Sequence, residues 1–158
     1  MYKAPKNYQG VALVEVLIGV SLLAVVGVFV GMTVTQFVTT RNEILAQAKK
    51  VYLAEEGYET IRLLRDEDWS NISSLSANTY HYLQVTTSSV AIGGSSELID
   101  GQYQRSFLIQ PIYRNAAGDI VASTTVGSAV DSDSKKIFIY VSDNNSTTTV
   151  NAVLTHLP

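Results

Sequence analysis

Cysteine is absent from this 158-residue chain. That excludes disulfide cross-links, thiolate metal sites and a lipid-modified cysteine near the N-terminus. Histidine is almost absent: His81 and His156 are the only two, and no H-E-x-x-H or similar ligand spacing joins them. Neither a G-x-S-x-G nor a G-x-x-x-x-G-K motif occurs, so the common hydrolase and phosphate-loop chemistries find no footing. Positive charge is in deficit, with 11 Lys and Arg against 14 Asp and Glu and a net charge of −3. Such a balance disfavours a protein whose main task is to bind nucleic-acid phosphates. On this basis the expectation is no enzyme, no cofactor, no metal and no direct nucleic-acid partner.

Charge is also missing locally. Between Val16 and Val38 no residue is ionisable, and the only polar side chains are Ser21, Thr33, Thr35 and Gln36. As a helix this run is ~34 Å long, enough to cross a hydrocarbon core of ~30 Å. A domain of this size has little core in which to hide a helix that is apolar on every side. The run is therefore read as the single membrane-spanning segment. Lys3 and Lys6 precede it and Arg41, Lys49 and Lys50 follow it, so charge counting alone leaves its orientation open.

Glu15 stands at the entrance of the apolar run as the only side chain between Lys6 and Arg41 that is charged at neutral pH. A carboxylate at mid-bilayer costs roughly 2.5–3.5 kcal/mol on insertion scales, and less near the interface. Two readings follow from the residue alone: an acid reaching to the membrane surface, or an acid awaiting a cation. Cutting the chain after Gly10 would create such a cation, an α-amino group on Val11 one helical turn from Glu15.

The segment MYKAPKNYQG followed by VALVEVLIGVSLLAVVGVFVG resembles the N-terminus of type IV prepilins and of the pseudopilins of type II secretion. Members of that superfamily have a short basic leader ending in Gly, and a Glu at the fifth mature position that opens a long apolar helix. The resemblance implies cleavage between Gly10 and Val11 by a prepilin peptidase on the cytoplasmic side, then N-methylation of Val11. It implies an assembly role for Glu15. The partners it implies are other pilin or pseudopilin subunits, an inner-membrane assembly platform and the lipid bilayer. The chain departs from the common pattern in having Val11 instead of Phe at the first mature position and no proline in the apolar run, which points to a minor pilin or pseudopilin. Loss of the leader would leave 9 bases and 14 acids, an acidic exported protein. Its expected location is the cytoplasmic membrane as a single-pass protein, N-terminus cytoplasmic before processing and head extracytoplasmic, and then a filament.

Gly27 and Gly31 form a small-xxx-small pair, with Gly19 within ~120° of both around the helix. They suit close helix–helix contact, though glycine is also simply common in membrane helices. Each weakens the helix by ~1 kcal/mol relative to Ala, which would also permit local stretching.

Beyond the membrane edge, residues 41–68 contain no proline and are rich in helix formers, so one helix of ~87 Å is expected over Val11–Asp68. Ile44, Ala48, Val51 and Tyr52 form one apolar stripe, and Leu53, Gly57, Ile61 and Leu64 another, nearly opposite. Two stripes predict two partners: the chain's own sheet and a neighbouring subunit. Arg62 is spaced for pairs with Glu59 and Asp66. The run Asp66–Asp68 is unfavourable at a helix C-terminus and marks its end, with a loop expected from Trp69.

From Ser70 onward, 24 of 89 residues are Ser or Thr, which suits strands and turns. Strands are expected at Tyr80–Thr87, Gln102–Arg114, Ile120–Val126, Lys136–Ser142 and Thr148–Leu157, with a hairpin turn at Asn115–Asp119. Pro111 is expected to confine its strand to an edge or to sit at its end. Ser88–Gly94 and Ser128–Ser134 read as loops. Asp131 and Asp133 have the D-x-D spacing of calcium loops without the rest of that pattern. Asn71, Asn144 and Asn145 head N-x-S/T sequons.

The expected architecture is α+β and pilin-like: a leader over 1–10, a membrane or filament-core helix over 11–38, an amphipathic extracytoplasmic helix over 39–69, and an antiparallel β head over 70–158. The expected function is that of a minor pilin or pseudopilin in a type IV pilus or secretion-type filament. The alternative is a single-pass, membrane-anchored extracytoplasmic binding domain that does not polymerise.

Overall fold

A computed structural model describes residues 9–86, 89–96 and 98–156, with helix side chains described from Ala12 onward. Most of the expected leader, Met1–Tyr8, lies outside the described residues, as do Thr87 and Leu157. The chain divides into two compact units, Met1–Leu45 and Ala46–Pro158.

Helix α1 runs over Gln9–Glu67. Its end agrees with the expectation from the acidic run: the helix stops within Asp66–Asp68, and the Asp68 carboxylate accepts the backbone N–H of Ser70 at 2.7 Å. That bond holds the Asp68 carboxyl below its usual pKa. The chain does not go straight into a loop. A one-turn helix, α2 (Ser70–Ser73), follows and buries Ile72. Asn71 is tied down, its side-chain amide donating to the Leu64 carbonyl at 3.0 Å.

The second unit is an antiparallel sheet with the C-terminal part of α1 packed on it. Its strands are β1 (Tyr80–Val85), β2 (Val90–Gly93), β3 (Leu98–Ile99), β4 (Tyr103–Arg114), β5 (Ile120–Val121), β6 (Ala129–Ser142) and β7 (Thr147–Thr155). The order across the sheet is β2-β1-β4-β6-β7, with the short β3 and β5 each paired to β4. Alternation explains the long strands. In β4, Tyr103, Phe107 and Ile109 point inward, and in β6, Ile137, Ile139 and Val141 do. Together with Leu83 of β1 and Leu154 of β7 they meet Leu53, Ala54, Ile61 and Leu64 of α1 in one core.

Four expectations about this unit need correction. Ser88–Gly94 is not all loop, because Val90–Gly93 pairs with β1 as a strand. Ser128–Ser134 is not a loop either: Ala129 to Asp131 pair with Ile112–Arg114, extending β6. The composition there is polar because this end of the strand is exposed. The Ile120–Val126 strand shrinks to Ile120–Val121, with Val126 in full contact with solvent and no ladder to join. Pro111 is neither at an edge nor at the end of β4. It sits where the β4–β6 register breaks, with Pro111 opposite Lys135 and Ile112 opposite Asp131, and a proline's missing N–H is tolerated at such a bulge. The hairpin at Asn115–Asp119 is present, closed by Gly118 with φ 88° and by the Asn115 side chain, which accepts the N–H of Ala117 and of Asp119.

Candidate functional site: the exposed helix face

Within the first unit the apolar part of α1 is exposed on every side. Leu17, Leu23, Phe29 and Phe37 are between 60% and 73% exposed, a surface no water-soluble helix presents alone. One described helix is long and apolar enough to cross a membrane. Its hydroxyl groups are already satisfied: Ser21 Oγ donates to the Leu17 carbonyl at 2.7 Å, Thr33 to Phe29 at 2.8 Å and Thr35 to Gly31 at 3.0 Å. Thr39 does the same with Thr35 at 3.0 Å. Back-bonding of this kind hides the hydroxyl proton from an apolar surrounding.

Glu15 lies on this helix with an exposed side chain, and among the described residues it has no hydrogen-bond or ion-pair partner. Gly10 and Val11 are in the first turns of α1. Gly19, Gly27 and Gly31 have open space where a Cβ would stand, so each is a notch in the helix surface that nothing among the described residues fills.

Further along α1 the two stripes separate as expected. Leu53, Gly57, Ile61 and Leu64 are buried against the sheet. Ile44 and Tyr52 are 62% and 60% exposed, Ala48 is exposed and Val51 is half-buried. Arg62 takes only one of its two expected partners, Glu59, at 2.9 Å, while Asp66 pairs with Arg65 at 2.7 Å.

Two ion pairs that pattern reading passes over hold α1 to the sheet. Lys50 and Asp143 form an ion pair at 3.1 Å, and Lys50 also donates to Ser146 Oγ. Arg105 of β4 is 3% exposed beneath the helix, donating to the Leu53 carbonyl at 3.1 Å and pairing with Glu56 at 3.3 Å. Gly57 makes room for it: a Cβ there would stand 2.9 Å from Arg105 Cδ. The only sequence signals were a lysine beside Lys49 and a glycine inside a helix, neither of them specific.

Most of the remaining candidates are engaged by neighbours within the fold. His81 Nε2 lies 2.9 Å from the Ser76 carbonyl, and His156 stacks on Trp69 with ring centroids 5.6 Å apart. Asp131 is engaged by Arg114 at 2.6 Å and by the Asp133 N–H at 2.9 Å. No group of three or more His, Asp or Glu side chains able to hold a metal occurs among the described residues. Asn144 and Asn145 are exposed in the β6–β7 turn, unlike the tied-down Asn71. Compared with known proteins, the chain matches no family model, no curated protein and no solved structure.

Proposed function

We propose that the chain is a minor pilin or pseudopilin: a filament subunit cut between Gly10 and Val11, held in the membrane by α1, and assembled through that helix. The observation that carries this reading is Glu15, a single acid on an otherwise uncharged and wholly exposed helix face. An unpaired carboxylate in an apolar surrounding is costly, and an α-amino group freed at Val11 of a neighbouring copy would relieve it. The unfilled notches at Gly19, Gly27 and Gly31, and the exposed stripe at Ile44 and Tyr52, supply surface for helix contacts between subunits. The partners are then the peptidase, other subunits, the assembly platform and the bilayer, and the role is mechanical and not enzymatic.

The test is co-expression of the full chain with a prepilin peptidase, read by intact mass. Loss of Met1–Gly10 and the addition of one methyl group are expected, and Gly10→Val should abolish the shift. Glu15→Leu should still insert in the membrane and be cut, yet fail to enter filaments. A chain that keeps its initiator methionine and stays monomeric in its native membrane would instead be an anchored binding domain.

A further inference from the structure

Strand β7 ends the sheet, and among the described residues it is a long edge left open. Its nine residues, TTTVNAVLT, contain no charge, no proline and no glycine. They pair with Ser134–Ser142 of β6 without a register shift. Proteins ordinarily blunt such an edge with lysine, proline, a bulge or a covering segment. The opposite edge, β2, is only four residues long.

The hydrogen bonds show which backbone groups face outward. Asp143 N–H donates to the Ser146 carbonyl at one end of the hairpin, and His156 N–H donates to the Asp133 carbonyl at the other. In an antiparallel ladder the groups alternate. Even-numbered residues of β7 therefore bond to β6, and Thr147, Thr149, Asn151, Val153 and Thr155 turn their N–H and C=O outward. Among the described residues only the Thr155 carbonyl of that row has a partner, Arg65 at 3.5 Å. The side chains of these five residues are all exposed.

We infer that this edge pairs with β7 of a second copy, antiparallel about a two-fold axis at Asn151, so that the two sheets become one. The edge complements itself. Antiparallel pairing centred on Asn151 sets Thr147 opposite Thr155 and Thr149 opposite Val153, outward group to outward group at every rung. Facing side chains are then β-branched pairs with an Asn–Asn pair at the centre, and no like charges meet. A two-fold contact of this kind is closed, which suits a discrete dimer. The edge lies wholly in the second unit, so the inference does not rest on processing or on helix assembly.

The absence of cysteine makes a clean test. In the full chain in detergent micelles, Asn151→Cys should cross-link to itself under mild oxidation. Opposed residues in an antiparallel pair have Cα atoms ~4.5–5.5 Å apart, within disulfide reach. Ala91→Cys on the exposed edge strand β2 should remain uncross-linked. Adding Thr149→Pro to Asn151→Cys removes an outward N–H without touching the β6 ladder, and should lower the dimer yield at least tenfold. Should the proline disturb folding, Asn151→Lys alone places like charge against like charge and should shift the protein to monomer in sedimentation. Equal cross-linking at Ala91 and Asn151, a dimer that survives both Thr149→Pro and Asn151→Lys, or capture of a different chain at Asn151→Cys would overturn the inference.

Discussion

Lys50 Nζ lies 3.1 Å from Asp143 Oδ2, and only 2% and 4% of the two side chains reach solvent. The pair fastens α1 to the β6–β7 turn, 93 residues later in the chain. Asp143 also accepts the N–H of Ser146 at 2.7 Å and of Asn145 at 2.8 Å. These two bonds, followed by Lys50, hold its carboxyl below the ordinary range. Removing one member of a withdrawn pair leaves the other uncompensated. Lys50→Met should therefore lower the thermal midpoint of the second unit by about ten degrees or more. Lys50→Met with Asp143→Leu should recover only part of the loss, because the N–H groups of Asn145 and Ser146 still lack their acceptor. Near-ultraviolet circular dichroism of the full chain in micelles reads both.

Asp131 sets a second expectation. The Arg114 guanidinium, the Ser134 hydroxyl and the Asp133 N–H bring its pKa from the ordinary 3.8 down to about 2. A carboxyl depressed on folding contributes stability that is whole above its unfolded pKa and lost as pH falls through the folded one. The loss should fall between pH 3.8 and about 2. Asp68 and Asp143, shifted in the same direction, add to that acid limb. Urea midpoints measured from pH 5 to 2 should fall less steeply for Asp131→Asn than for the parent.

The two faces of α1 should respond differently to truncation. Ile61 is fully buried, and Ile61→Ala should cost about 2–5 kcal/mol by urea titration. Tyr52 is 60% exposed, and Tyr52→Ser should stay within about 0.5 kcal/mol of the parent while reducing incorporation into the filament that the proposed function requires. Loss of stability in both variants would assign both stripes to the chain's own fold.

Gly57 and Arg105 are coupled. Replacing a mid-helix glycine by alanine favours the helix by about 1 kcal/mol. Here the new methyl group would stand 2.9 Å from Arg105 Cδ, whose side chain is confined beneath the helix. Gly57→Ala should therefore destabilise the protein, and it should stabilise an Arg105→Ala background. A double-mutant cycle by urea titration measures this change of sign.

The long helix was legible because its signals are local: an uncharged run from Val16 to Val38, a buried stripe ending at Leu64, and acids at the end of the helix. The strands at Gln102–Arg114 and Lys136–Ser142 were legible for the same reason. What escaped depends on residues distant in sequence. Ala129 to Asp131 become strand because Arg114, seventeen residues before Asp131, holds them in register. Nothing local marks Lys50 and Arg105 as buried until Asp143, Leu53 and Glu56 are seen to meet them. In the helix face the residues were visible and their satisfaction was not. Nothing in the letters shows that Ser21, Thr33 and Thr35 have already given their protons to the turn behind them.

That internal satisfaction bears on how deep such a helix would sit in a bilayer. With the three hydroxyls spent, hydration is demanded only at Glu15 and, 21 residues later, at the exposed Gln36 amide. The two are ~32 Å apart along the axis, close to the ~30 Å of a hydrocarbon slab. Each end thus seeks its own wetted boundary, and a vertical displacement either way would drag one of them into oil. The segment carries its own draught marks, like a hull trimmed fore and aft.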